Sequence, residues 1–136
     1  MMTDAGGEPH SLYRVAIKQE FMAQHYLIGE ALGPEKRRHS HCYQVEVQLE
    51  GSTLNEQGYL VDIVQIESHL RELLAYYQDK TLNDLPEFKD LNPSIEHLAR
   101  LLCQALSDRL KVPNIRGVAV RVWESANTWA LYRQDL

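Results

Sequence analysis

Two stretches decide the fold: YRVAIKQEFMAQH at residues 13–25 and HSHCYQVEVQL at residues 39–49. Alternate residues of a β-strand share a face. Read as strands, the first puts Tyr13, Val15, Ile17, Phe21, Ala23 and His25 on one side. The second puts His39, His41, Tyr43, Val45, Val47 and Leu49 on one side. Each strand thus has a mostly apolar inner face with imidazole at its loop-proximal end. Paired as a hairpin across residues 26–38, the strands bring His25, His39 and His41 together where the chain turns. Three histidines with an open fourth position are the pattern of a catalytic zinc site. One strand-end histidine would carry no such reading, but H-x-H on an apolar face with a third histidine across the hairpin does.

The connecting loop 26–38 is polar, holds Gly29, Gly33 and Pro34, and is longer than a hairpin needs. Long loops in compact domains are often functional. Beyond the hairpin comes a turn-rich stretch from Gly51 to Gly58, and then Asp62 reads as a helix N-cap. Ile63, Ile66, Leu70, Leu73, Leu74 and Tyr77 follow helical spacing, which predicts an amphipathic helix over 63–77. Residues 78–91 read as irregular. Asn92 before Pro93 predicts an N-cap with proline at the first helical position. Ile95, Leu98, Leu101, Leu102, Ala105, Leu106 and Leu110 make the stripe of a second helix, closed by Pro113. Val118, Val120 and Val122 then alternate as a strand, and after a turn at Ser125–Asn127 the run 128–133 is rich in β-formers. The order ββααββ predicts an α+β fold, an antiparallel sheet with two helices on one face. Its outer strands would be exposed edges, and pairing between subunits is one way to cover them, so a homo-oligomer is expected.

At 136 residues the chain is read as one domain over 12–136, preceded by a loose leader at 1–11. Apolar residues make up 44% and charged residues 24%, the balance of a globular protein. A net charge of −5 gives no reason to expect nucleic acid as a partner, and the basic run KRR at 36–38 is too short to change that. No stretch approaches the ~20 apolar residues of a membrane span. No secretion signal is visible, and Cys42 and Cys103 make no disulfide framework, so a reducing cytoplasm is the expected setting.

Six short motifs, in order, resemble those of the 6-pyruvoyl-tetrahydropterin synthase and 6-carboxy-tetrahydropterin synthase family. They are Phe21-Met22-Ala23-Gln24-His25, His39-Ser40-His41, Gly58-Tyr59-Leu60-Val61-Asp62, Leu82-Asn83-Asp84, Asn92-Pro93-Ser94-Ile95-Glu96-His97-Leu98-Ala99 and Trp123-Glu124-Ser125. The resemblance runs from about Tyr13 to Tyr132. It implies the tunnelling fold, in which ββααββ subunits close a barrel, commonly as a dimer of trimers. It also implies zinc on His25, His39 and His41, and a small-molecule pterin held by Glu124 and Glu96. A carboxylate suits that task, because it accepts two parallel hydrogen bonds from the N–H groups of a 2-amino-4-oxo pyrimidine edge. Outside the resemblance, Glu96 reads as an acid favoured by the first turn of a helix and Glu124 as a hairpin acid.

The chain departs from the family in its catalytic groups. The family's cysteine lies a few residues before H-x-H, where this chain has Glu35, Lys36, Arg37 and Arg38. Glu35 stands at that position, resembling a subset of the family that carries glutamate there and releases 6-hydroxymethyl-dihydropterin. A glutamate starts near pKa ~4.3 and needs burial to act as a base or acid at neutral pH. Strand alternation points Cys42 away from His41, so it reads as structural, as does Cys103 within the second helix. The family's Asp-His dyad falls on Gln78-Asp79; Asp79 retains the aspartate if one residue is deleted, and the histidine is absent. His69 and His97 match neither partner.

The resemblance therefore implies a zinc-dependent lyase or synthase acting on 7,8-dihydroneopterin triphosphate, with Glu35 moving protons and Asp79 assisting. Its product would be 6-carboxy-tetrahydropterin, 6-hydroxymethyl-dihydropterin or 6-pyruvoyl-tetrahydropterin, on routes to deazapurines such as queuosine or to folate. Two alternatives stay open: a paralogue that binds metal and pterin without turnover, and a zinc hydrolase on the same fold.

Overall fold

The two alternating stretches form one long antiparallel hairpin, β1 (Tyr13–His25) with β2 (His39–Gly51), in unbroken register from Tyr13↔Gly51 to His25↔His39. The computed structural model describes residues 11–29 and 37–136. Two helices follow, α1 (Ile63–Tyr77) and α2 (Ile95–Arg109), and then β3 (Gly117–Ser125) and β4 (Thr128–Asp135). The sheet order is β1-β2-β3-β4, antiparallel throughout. This is the expected α+β layout, with both helices on one face of the sheet.

The alternation sets which face is covered. Phe21, Tyr43, Val45, Val47, Leu49, Val118, Val120 and Val122 are buried beneath Ile66, Leu70, Leu74, Leu98, Leu102 and Leu106. Each such side chain contributes about 1.5–3 kcal/mol by leaving water. Cys103 lies buried in that layer, its thiol donating to the Val118 carbonyl at 3.5 Å, as a packed cysteine should. Cys42 points to the opposite face as expected, but it is exposed rather than packed, with its thiol 3.6 Å from the Glu20 carboxylate. Among the described residues no helix is long and apolar enough to cross a membrane.

The α1 bounds and its Asp62 cap are as expected, and the structure departs from the sequence reading in four details. Asp62 caps α1, its side chain accepting from the Val64 N–H, yet Ile63 is exposed because the first helical residue precedes the turn that meets the sheet. Ser94, not Asn92, caps α2, accepting from the His97 N–H at 3.2 Å, and the helix starts at Ile95. The Asn92 carboxamide is engaged elsewhere, which frees the cap position for Ser94. Strand β2 continues to Gly51, where a Cβ would lie 2.1 Å from the Asn114 carbonyl oxygen, so only glycine admits that loop. The segment 78–91 contains two single turns of 3-10 helix, Leu82–Asp84 and Pro86–Phe88, which bury Leu82, Leu85 and Phe88.

That segment also lines the free edge of β1. The Met22 N–H donates to the Gln78 side chain at 3.0 Å and its carbonyl accepts from the Asp79 N–H at 2.7 Å. The Gln24 N–H donates to the Lys80 carbonyl at 2.9 Å. On the uncovered sheet face, the Glu50 carboxylate is buried between Arg14, at 2.9 Å, and Arg133, which donates from Nε at 2.7 Å and again from Nη2. Burial alone would push the Glu50 carboxyl up, but the hydrogen bonds from Arg133 and Arg14 hold it below its ordinary value.

Candidate metal centre

Register carries the three histidines to one place. His25 pairs with His39 across the hairpin and His41 pairs with Ala23, so all three share the helix-facing side at the loop end. Ring centroids lie 4.5 Å apart for His25 and His39, 4.8 Å for His25 and His41, and 4.8 Å for His39 and His41. One ligand atom from each falls within 4.8 Å of the others.

The distal ring nitrogens of His25 and His39 are tied up by the protein. His25 Nδ1 lies 3.0 Å from the Pro93 carbonyl, which can only accept, so Nδ1 carries the proton and Nε2 holds a lone pair. His39 Nδ1 lies 2.7 Å from the Arg37 carbonyl, which fixes the same tautomer. Their Nε2 atoms then stand 2.9 Å apart, two lone pairs face to face. His41 Nε2 is buried and has no hydrogen-bond partner among the described residues. Unprotonated nitrogens in such a cluster repel one another unless a positive charge lies between them. The donor set therefore fits a divalent cation that accepts imidazole, and carbonyl partners on the distal nitrogens are the usual means of aiming such ligands. Burial pushes the His25 imidazole down, the Pro93 carbonyl opposes this, and His39 and His41 push it down further, so the neutral, ligating form prevails.

Tyr43 supports the rings from below. It is fully buried, stacks on Phe21 with centroids 5.2 Å apart, and sets its hydroxyl 3.0 Å from His25 Nδ1. Burial, reinforced by the charge of Glu124, pushes its phenol well up, so it remains a neutral hydroxyl. Glu124 follows Trp123, which pairs with Gln44, and sits where the β3–β4 register shifts between Trp123 and Ser125. It is half-buried, and its charge acts on both His25 and Tyr43. The carboxylate thus belongs to the same neighbourhood as the three rings.

Among the described residues, the other candidates do not join the three-histidine cluster. Glu96 is exposed in the first turn of α2. Asp79 sits beside Met22 on the β1 edge with a backbone φ of 62°, accepting from the Gln78 side chain at 3.1 Å. Glu35 lies outside the described residues. His69 belongs to α1, with its carbonyl accepting from Arg109, and His97 contacts Arg100 in α2. The sequence reading missed Tyr43 as a partner of His25, because it counts there only as one apolar residue of an alternating strand. It missed the Pro93 and Arg37 carbonyls because backbone atoms leave no trace in residue identity.

Residues 14–135 match the family described as 6-pyruvoyl tetrahydropterin synthase. A Pyrococcus horikoshii protein provisionally named 6-carboxy-5,6,7,8-tetrahydropterin synthase is 25% identical over 134 residues, covering 82% of this chain and 84% of that one. A 6-pyruvoyl tetrahydrobiopterin synthase of Dictyostelium discoideum is 26% identical over 129 residues, covering 87% and 93% respectively. Among solved structures, a catalytic-residue variant of Plasmodium vivax 6-pyruvoyltetrahydropterin synthase superposes with a TM-score of 0.77 at 13% identity, covering 93% of this chain and 99% of that one. That likeness concerns the fold.

Proposed function

The chain belongs to the 6-pyruvoyl tetrahydropterin synthase family, whose members are lyases acting on pterin side chains, and from that membership we propose a zinc-dependent enzyme taking 7,8-dihydroneopterin triphosphate. The observation that carries this reading is the convergence of His25, His39 and His41, with the distal nitrogens of His25 and His39 committed to carbonyls. A bound zinc ion supplies a Lewis acid for the oxygens of the substrate side chain. The chain's own residues do the rest. Glu124, within electrostatic reach of the rings, accepts the paired N–H groups of the pterin edge. Glu96 is the second pterin carboxylate, reaching a pocket at a subunit boundary from its exposed place on α2. Tyr43 and the Pro93 carbonyl hold the His25 ring at its angle. Glu35 takes and returns the proton moved between neighbouring side-chain carbons, with Asp79 assisting.

A catalytic glutamate has support in a relative: in solved variants of the Plasmodium vivax enzyme, a glutamate that is a catalytic residue there is replaced by alanine or cysteine. The product is 6-carboxy-tetrahydropterin, or 6-hydroxymethyl-dihydropterin by way of Glu35. The working form is a dimer of trimers closing a barrel, in a reducing cytoplasm. Incubating zinc-loaded protein with dihydroneopterin triphosphate and weighing the products tests this. The expected result is one pterin product from the unaltered protein and a loss of roughly 100-fold or more in kcat in Glu35→Ala, with pterin still bound. Tight pterin binding without any product would overturn the reaction. That outcome would favour a metal- and pterin-binding paralogue, a reading to which the lack of a histidine next to Asp79 in the sequence lends weight.

A further inference from the structure

Two asparagines outside the metal centre each grip one backbone residue at both ends. The Asn83 side chain accepts from the Tyr26 N–H at 3.0 Å and donates to the Tyr26 carbonyl at 2.8 Å. The Asn92 side chain accepts from the Ile28 N–H at 2.5 Å and donates to the Ile28 carbonyl at 2.9 Å. A carboxamide offers one acceptor and two donors in a plane, the same pair of groups that a neighbouring strand presents. Tyr26 and Ile28 are two residues apart, the spacing at which an extended chain repeats its edge-facing groups. The two carboxamides therefore continue, beyond the end of β1, the edge contacts that Gln78, Asp79 and Lys80 make with Met22 and Gln24.

The position of this clamp is what gives it meaning. Tyr26 directly follows His25, and Ile28 and Gly29 lead into residues 30–36, which contain Glu35. Asn92 adjoins Pro93, whose carbonyl aims His25. One short segment thus sets both the ring of a metal ligand and the origin of the loop that carries the candidate base. Asn83 and Asn92 lie in two of the sequence motifs, Leu82-Asn83-Asp84 and Asn92-Pro93, and the metal and pterin assignments give neither asparagine a task.

We propose that Asn83 and Asn92 are positioning residues that fix Tyr26 and Ile28, where the chain leaves β1 on its way to Glu35, relative to the three imidazoles. Asn92 acts on the loop and not on the ion, because the bond that orients His25 comes from the Pro93 backbone. The proposal rests on Glu35 as the base for its catalytic consequence, and on the hydrogen bonds alone for its structural one.

The test uses full-length protein with Asn92→Ala and the near-isosteric Asn92→Asp, which keeps the acceptor for the Ile28 N–H and loses the donor to its carbonyl. Asn83→Ala is made alongside. Zinc content, kcat and KM for dihydroneopterin triphosphate, and amide hydrogen exchange are read together. Expected are a kcat lower by roughly 10- to 100-fold per bound zinc, KM within about 3-fold, and undiminished zinc content for both Asn92 variants. Exchange should quicken at Ile28 and Gly29 and also at Arg37 and Arg38 on the far side of the loop. An unchanged kcat per bound zinc, or exchange altered at Ile28 alone, would overturn the proposal. If the unaltered protein shows no turnover, the reaction assignment falls, and exchange at Arg37 and Arg38 decides the clamp by itself.

Discussion

His41 presents a buried Nε2 without a hydrogen-bond partner among the described residues, and that atom gives the sharpest expectation at the residue scale. Removing it in His41→Ala takes away one of three ligands and should weaken zinc binding by at least roughly 100-fold, read by competition with a chromophoric chelator. Tyr43→Phe keeps the stacking on Phe21 and removes only the hydroxyl beside His25 Nδ1. It should weaken zinc about 10-fold, the usual effect of an outer partner. Equal losses in the two variants would mean that His41 is not a ligand. The three histidines were legible in the sequence because period-2 alternation and imidazole chemistry converge on the same positions. The partners of His25 were not, since one is a backbone carbonyl and the other a tyrosine whose apolar context hides its hydroxyl.

Gly51 shows how an element boundary can be set from far along the chain. A methyl group there would press against the Asn114 carbonyl and Leu60, so the end of β2 and the loop before β3 fit only around a hydrogen atom. Gly51→Ala should destabilise the protein by about 3 kcal/mol, measured by urea unfolding, because backbone and not a flexible side chain must yield. A loss under about 0.5 kcal/mol would show that the loop moves freely. The cores of the elements were readable from periodicity, and both strands of the hairpin began where alternation placed them. The ends were less readable. Asn92-Pro93 carries a strong generic cap signal, but its carboxamide binds Ile28, a residue 64 positions earlier, and no local pattern encodes that.

Glu50 ties three of the four strands together, standing on β2 and binding Arg14 of β1 and Arg133 of β4. Its carboxyl is held below its ordinary value of 4.5, so the folded state binds this proton less readily than the unfolded chain. The resulting stability is present above about pH 4.5 and is lost as pH falls through the lower, folded value. Urea midpoints taken between about pH 6 and pH 3 should therefore drop less steeply in Glu50→Gln, although that variant starts from lower stability. Identical slopes would remove Glu50 from the acid response. At this scale the layer arrangement followed from the ββααββ pattern, whereas the strand order β1-β2-β3-β4 emerged only from the structure. The Glu50 cluster did not, because Arg14 and Arg133 lie at opposite ends of the sequence and only the closed sheet brings them together.

The location of the imidazoles within the chain bears on how the ion is acquired. All three lie in the first hairpin, which leaves the ribosome before either helix exists. The carbonyl that steers His25 arrives only with Pro93. A nascent chain ending after Gly51 thus holds a complete ligand set in which His25 is not yet steered by Pro93, and metal captured during synthesis would be tightened later, when the start of α2 docks against the hairpin.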